Sequence, residues 1–296
     1  MQEDQPLRDI DLRRLRMFAA VMEAPSMRVA AAELFISQQA LSSSIRELER
    51  QLKVTLFDRS PRNLTPTPAA DILYRGAVPL LAAGKQLISQ VRHADDPTPF
   101  VIGHSPDLAP SEVFTVIEPV VLDNPSAPIA VRAVHPHDMR AELLSGTIDL
   151  ALRRGMSPTP DLATTVITHH ALRLAVTATH PLATADRVDL EQIADYELVV
   201  WGPEHEASYT DILVELCRRA GFEPRVIVST LIGTPPHTAV IAHPQACALV
   251  TNAPGWLYDK RIRIVEFNDP PFAPVRGLWL PGTSSPMRRK ILAALE

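Results

Sequence analysis

The chain has 296 residues, too many for one small core and enough for two or three domains. Only Cys217 and Cys247 are present, which excludes a disulfide scaffold, and no apolar run or leader pattern indicates a membrane span or a signal peptide. We therefore expect a cytoplasmic protein with no membrane partner. The net charge of −5 is uneven, because residues 1–75 carry +1 and the remainder −6.

Three helices are predicted in the first part of the chain, over Leu12–Glu23, 27–34 and 38–51. Asp11, Ser26 and Ser37 directly precede them, and each side chain can accept a hydrogen bond from a free N–H group of the first helical turn. Pro25 ends the first helix. The second and third helices, joined by a short turn, predict a helix-turn-helix.

The third helix has one apolar face, formed by Leu41, Ile45, Leu48 and Leu52. Its polar side chains are Gln38, Gln39, Ser42, Ser43 and Arg46. Glutamine can bond bidentately to adenine, serine to either base type and arginine to guanine, while Ser37 and Arg46 can approach phosphates. This pattern predicts DNA recognition in the major groove. The alternative is a solvated polar face on a helical hairpin of another all-α domain.

The segment 54–65 predicts a short two-stranded wing after the third helix. Arg59 and Arg62 lie at its tip, where they can reach backbone phosphates or the minor groove. Surface arginines without a partner are the alternative interpretation.

A single long helix is predicted over residues 68–91. Its apolar positions alternate steps of three and four, as in a coiled coil: Ala70, Leu73, Ala77, Leu80, Gly84, Leu87 and Val91. Such a seam indicates pairing of two subunits, and Pro79 should kink the helix. The composition of residues 94–98 predicts a hinge between the helix and the C-terminal part.

Beyond Pro99, short apolar strands alternate with helices, which predicts an open, mostly parallel α/β sheet. The strands are expected at 100–105, 129–134, 149–153, 172–178, 198–202, 225–230, 246–251, 262–267 and 276–281, with helices at 138–145, 209–220 and 286–295 among them. So many strands suggest two subdomains.

The pattern S-x-x-x-A-A-x-x-L-x-x-S-Q-x-A-L-S-x-x-I-x-x-L-E-x-x-L-x-x-x-L-F-x-R, from Ser26 to Arg59, resembles the N-terminal signature of LysR-type transcriptional regulators. Gln39 stands where that family usually has proline, and Lys53 and Ala70 where it usually has glycine. The first departure concerns base preference, and the other two concern local backbone geometry. The stretches 143–152 and 180–183 match weaker motifs of the family's effector domain, which is similar to periplasmic solute-binding proteins.

The resemblance implies a multidomain α+β fold. It comprises a winged helix-turn-helix over 1–67, a dimerisation helix over 68–93, a hinge over 94–98, and a two-subdomain α/β effector domain. The first effector subdomain would span 99–164 and 269–296, and the second 165–268.

Ligands of open α/β sheets bind at the carboxyl ends of strands, and a cleft between subdomains is the preferred location. Strand ends here carry Ser105, Arg153 with Arg154, Trp201, His205 and Thr230. A hydroxyl and a guanidinium would suit a small carboxylate, and the indole could cover an apolar body. The alternative is that these residues are routine caps and surface charges.

These patterns predict a homodimeric or homotetrameric DNA-binding regulator that binds promoter DNA and a small, carboxylate-type effector, and that contacts RNA polymerase. No cofactor, metal or catalytic residue is expected, because G-x-S-x-G, H-E-x-x-H and phosphate-cradling glycine loops are lacking and Pro136 separates His135 from His137. Two rivals remain: an architectural DNA-binding protein without an effector, kept open by His243-Pro244-Gln245 where the family has a glycine-rich turn, and a metal-dependent enzyme with a DNA-binding appendage.

Overall fold

The computed structural model describes residues 10–59, 64–92, 99–155, 159, 161–231 and 234–294. The N-terminal part contains three helices and a two-stranded wing: α1 (Leu12–Glu23), α2 (Met27–Glu33), α3 (Gln38–Leu52), β1 (Phe57–Arg59) and β2 (Leu64–Pro66). Ser26 Oγ and Ser37 Oγ accept hydrogen bonds from Val29 N and Ala40 N, at 3.3 and 3.1 Å. The predicted serine caps and the helix-turn-helix are therefore confirmed.

The core of this part lies where α1, α2 and α3 meet the wing. Phe18, Leu41, Ile45 and Leu48 are fully buried there. The Glu49 carboxylate accepts from the amides of Leu56 and Phe57, at 2.9 and 3.2 Å, and so ties the wing to α3. Lys53 ends α3 with φ +55°, in the left-handed conformation that glycine adopts most easily. The turn after α3 therefore forms although lysine stands at this position instead of glycine.

The linker helix α4 spans Pro68–Arg92 and continues through Pro79, as the apolar pattern predicts. The seam prediction needs correction, because its N-terminal half packs within the chain: Ala70 belongs to the core of the helix-turn-helix domain, and Ala77 is buried. The C-terminal half of the seam stays exposed at Leu80, Leu87 and Val91, and Ile72 and Ile88 are further exposed apolar side chains of the same helix. A periodic pattern alone does not say which partner an apolar helix face meets.

The first sheet of the C-terminal part has the order β4-β3-β5-β14-β6. Its strands are β3 (Phe100–His104), β4 (Ile129–Ala133), β5 (Leu150–Arg154), β6 (Ala163–Ala171) and β14 (Phe272–Trp279), and its helices are α5 (Pro110–Asp123), α6 (Pro136–Ser145) and α8 (Pro286–Ala293). The chain crosses into a second sheet after β6 and returns at β14.

The second sheet has the order β11-β7-β13-β12, and β8 pairs with β13. The separate parallel pair β9 and β10 lies beside the β11 edge, where Leu198 forms a bridge with Cys247. The strands are β7 (Arg173–Thr177), β8 (Arg187–Val188), β9 (Glu197–Val200), β10 (Arg225–Val228), β11 (Ala248–Val250), β12 (Gly255–Leu257) and β13 (Ile262–Phe267), and α7 spans Ser208–Arg219. The largest buried cluster among the described residues fills this half, around Leu174, Leu213 and Phe267.

The expectation of a mostly parallel sheet is wrong. β3 runs parallel to β4 and β5, but β14 is antiparallel to both of its neighbours, and β7 is antiparallel to β11 and β13. Helical crossovers join the parallel strands, through α5 and α6 among β3, β4 and β5 and through α7 between β9 and β10, whereas the antiparallel pair β12 and β13 follows directly along the chain. Among the described residues, no helix is both long and apolar enough to cross a membrane.

Candidate functional sites: the recognition helix and the interdomain cleft

The polar start of α3 lies on the surface of the helix-turn-helix domain. Gln38, Gln39, Ser43 and Arg46 are exposed, and Ser42 is half-buried. The helix begins at Gln38, so the amides of its first turn and the positive end of its dipole accompany these side chains. Such an arrangement can bond base edges and draw a phosphate toward the helix terminus.

Two other basic side chains near this surface already have partners. Glu47 pairs with Arg50 at 2.6 Å and lies 3.8 Å from Arg14. The wing is present, but the Arg59 side chain and the whole of Arg62 lie outside the described residues. The proposed role of those two arginines therefore stays a prediction.

A cavity of about 640 Å³ lies between the two sheets of the C-terminal part. The first half contributes the end of β3, the first turn of α5 and the residue before α6, and the second half contributes Tyr209 and the segment that follows β11. Its polar lining residues are His104, Asp107, Ser111, Glu112, His135, Tyr209, Thr234, His237, Thr251 and Asn252. The volume suits a small organic molecule.

Arg154 crosses this cleft from the end of β5, with a fully buried side chain. Its Nη2 atom donates to Glu112 Oε1 at 2.6 Å in the first half and to Thr251 Oγ1 at 3.2 Å in the second. The guanidinium also lies 5.7 Å from the centre of the Tyr209 ring, and His170 Nδ1 is 2.8 Å from Glu112. One cation therefore links both halves of the domain.

The two carboxyl groups of the cleft titrate in opposite directions. Burial alone would raise the pKa of Glu112, but bonds from His170 and the Ala109 amide, together with the Arg154 charge, lower it to about 2. Burial raises the pKa of Asp107, against the opposing effects of Ser105 and Arg154. The cleft thus holds one firmly ionised carboxylate, Glu112, and one carboxyl, Asp107, whose charged form is disfavoured by burial.

Five of the residues predicted from strand ends do not line this cavity: Ser105, Arg153, Trp201, His205 and Thr230. Ser105 is fully buried behind it, and Arg153 lies beside Arg276 on the adjacent strand. Trp201 stacks at 6.2 Å on Tyr209, which does line the cavity. Their roles as effector contacts stay a prediction.

The other two of these residues lie on the surface. Thr230 is exposed, and the His205 side chain is 85 % exposed. His205 has φ +68° and its amide donates to Asp211. In a mixed sheet the carboxyl ends of the strands lie at both edges. A position at the end of a strand therefore does not by itself place a residue in the cleft.

Sequence reasoning missed Asp107, Glu112, Thr251 and Asn252. A usable signal existed for the first two, because S-P-D-L-A-P-S-E follows directly on a strand end and carries a proline and a glutamate at a helix start. Thr251 and Asn252 follow a strand too, but only the pairing of β11 with β7 brings them to the cleft. Arg154, which follows Arg153 at the same strand end, bonds to two of these residues, Glu112 and Thr251.

The described residues offer one group with metal-ligand spacing, formed by Glu204, His205 and Asp211. Glu204 already pairs with Arg218 at 2.6 Å, and Asp211 accepts from the His205 amide at 2.6 Å. His135, the residue before α6, stacks on His137 at 5.6 Å between ring centres. These local contacts account for both clusters without a metal ion.

Two family models match nearly the whole chain. Residues 12–71 match the bacterial regulatory helix-turn-helix protein, lysR family, and residues 95–294 match the LysR substrate binding domain. The fold and its two sites are those of a DNA-binding regulator with a ligand-binding domain. The chain belongs to the LysR family of transcriptional regulators.

Named relatives agree with this assignment. The transcriptional regulator TfdS of Cupriavidus pinatubonensis is 31% identical over 222 residues, covering 73% of this chain and 74% of the relative. BenM of Acinetobacter baylyi is 27% identical over 221 residues, covering 74% and 73%.

Solved structures share the fold. The crystal structure of CbnR, a LysR family transcriptional regulator, matches with a TM-score of 0.55 and 22% identity, covering 97% of this chain and 100% of that one. Full-length CbnR complexed with its target DNA matches with a TM-score of 0.53 and 21% identity, covering 97% and 98%. The chain is thus a DNA-binding transcriptional regulator with a substrate-binding domain.

Proposed function

We propose that this regulator recognises its operator with the first turn of α3. Gln38, Gln39 and Ser42 contact base edges, while Ser37, Ser43 and Arg46 lie on or near phosphates, with Arg59 and Arg62 of the wing beside them. The observation that supports this most directly is the exposed, amide-bearing start of α3. Because its N-terminal part carries a net charge of only +1, one copy has few phosphate contacts, and an assembly is needed for useful affinity.

The exposed face of α4 supports pairing of two copies through this helix. Leu80, Leu87 and Val91 are 50, 62 and 69 % exposed, although they are large and apolar. Burying such side chains against a second α4 removes apolar surface from water and sets the spacing of the two recognition helices. Dimers can associate further into tetramers, and a bound pair can contact RNA polymerase.

The interdomain cavity is the proposed effector site, and a small carboxylate is the proposed effector. The start of α5 lines the cavity, and its dipole favours an anion. Glu112 is not an obstacle, since Arg154 compensates its charge, and burial disfavours the charged form of Asp107 by raising its pKa. An effector held by both halves changes their relative position and hence the spacing of subunits on DNA.

Selection from a random duplex library with the purified full-length protein tests operator recognition. We expect enrichment of an interrupted palindrome, and failure to enrich any sequence would refute specific recognition. Thermal-shift measurements with aromatic monocarboxylates, short dicarboxylates and the matched amines test the effector class. Acids should raise the midpoint and amines should not, because a ligand that binds only the folded state stabilises it.

The cavity favours the effector-responsive function over the purely architectural one. We further propose that the protein is not an enzyme and acts on DNA in the cytoplasm. Glu112, Arg154 and His170 pair with one another, and this pairing accounts for the ionised state of Glu112 without a catalytic role.

A further inference from the structure

A chain of three hydrogen-bonded side chains joins two residues of the cleft lining, Asn252 and His237, to Tyr258 outside it. His237 Nδ1 is 2.9 Å from Asn252 Oδ1, and His237 Nε2 is 3.2 Å from the Tyr258 hydroxyl. An amide oxygen only accepts, so Nδ1 carries the proton and Nε2 accepts from tyrosine. Burial lowers the pKa of His237, against the opposing effect of Asn252, and this favours the neutral ring.

This chain fixes the orientation of the Asn252 amide. Its Oδ1 atom is hydrogen-bonded to His237, so the two hydrogens of Nδ2 are the polar side-chain atoms available for other contacts. Within the described part of the chain, Nδ2 has no protein acceptor, and Asn252 lines the cavity. Arg173 Nη1 donates to the backbone oxygens of Thr251 and Asn252, at 3.3 and 3.4 Å, and so holds the segment in place.

Tyr258 reaches His237 from a turn with unusual backbone geometry. Tyr258, Asp259 and Lys260 have φ values of +50°, +53° and +64°, although none is glycine. Consecutive left-handed residues are costly for side chains with a Cβ atom, and such strain persists only where surrounding contacts maintain it. The turn between β12 and β13 delivers the tyrosine hydroxyl to the buried ring.

We propose that Asn252 is a specificity-determining residue of the effector site, and that its Nδ2 donates to the carboxylate of the ligand. His237 and Tyr258 are positioning residues that keep the amide oxygen away from that carboxylate. This inference rests on the proposed binding of small carboxylates in the cleft. A flipped amide would present an oxygen to the anion and repel it, so the orientation decides which charge is accepted.

The test measures dissociation constants of benzoate, succinate and their matched amines, benzylamine and 1,4-diaminobutane, by calorimetry on the full-length protein. Asn252→Asp keeps the shape but replaces the donor with an acceptor. We expect acid binding to weaken about 10- to 100-fold and amine binding to appear. Asn124→Asp, the same chemical change at the end of α5 and outside the cavity lining, is the matched control and should leave both unchanged.

Tyr258→Phe tests positioning, since it removes the bond to His237 without altering a cavity residue. Imidazole nitrogen NMR should show the Nδ1–H tautomer in the wild type and a mixture in the variant, with acid binding weakened about 3- to 10-fold. Two results would overturn the role of Asn252 and leave the proposed carboxylate binding intact. One is equal acid binding by the wild type and Asn252→Asp, and the other is an Nε2–H tautomer of His237 in the wild type. If neither acid binds the wild type, carboxylate sensing fails, and this inference fails with it.

Discussion

Glu112 is the group whose replacement most directly tests the charge network across the cleft. Its pKa falls from the ordinary value of 4.5 to about 2 in the folded protein. At about 1.4 kcal/mol for each pH unit, that difference corresponds to about 3 kcal/mol of folding free energy at pH 7. The carboxylate is only 16 % exposed, so solvent screening removes little of it. Glu112→Gln should therefore lower the free energy of unfolding by about that amount.

The pH dependence has a defined sign. Because the folded-state pKa lies below the unfolded one, stabilisation by Glu112 is complete above about pH 4.5 and is lost as the pH falls toward about 2. The difference between wild type and Glu112→Gln should shrink over that interval. All three tryptophans, at 201, 256 and 279, lie in the effector domain, so their fluorescence during urea unfolding reports that domain.

Glu118→Gln is the matched control for this experiment. Glu118 lies on the same helix and is exposed, so the variant makes the same change in net charge without touching the network. It should stay within about 0.5 kcal/mol of the wild type. A loss for Glu112→Gln that is the same at pH 3 and pH 7, or no loss at either, would refute the assignment of a buried, ionised Glu112.

Three further predictions concern DNA binding, assembly and the thiols. Gln38→Ala should weaken binding to the selected operator about 10- to 100-fold while leaving non-specific binding nearly unchanged, and equal losses on both duplexes would contradict base contact. Leu87→Glu should dissociate the assembly in sedimentation, whereas Lys85→Glu, which adds negative charge on the same helix without removing an apolar side chain, should not. Burial raises the pKa of Cys217 and of Cys247 to about 12, so the native thiols should resist Ellman's reagent until the protein is unfolded, and rapid native labelling would contradict their burial.

Local signals made the DNA-binding part predictable. The start of α3 follows from Ser37 before an apolar pattern of helical period, and the fold places the cap where the sequence indicates it. The wing follows from short strand signals on either side of a proline-containing turn. In each case the residues that decide the structure are neighbours in the chain.

The strand β6, Ala163–Ala171, shows where such signals fail. It is the longest strand and was not predicted, because its sequence A-T-T-V-I-T-H-H-A is polar and lacks apolar alternation. His169 and His170 lie inside this strand. As an edge strand it exposes much of its surface, so burial imposes little pattern on it.

The family, the helix-turn-helix and the long linker helix follow from the sequence alone, because helix caps, apolar periods and fixed motif spacings act over a few residues. Which residues line the cleft depends on the tertiary structure. Arg153 and Arg154 are adjacent and chemically identical, yet Arg154 alone reaches Glu112 and Thr251. Successive side chains of a strand point to opposite faces, and which face meets the second half of the domain depends on contacts between residues nearly a hundred positions apart.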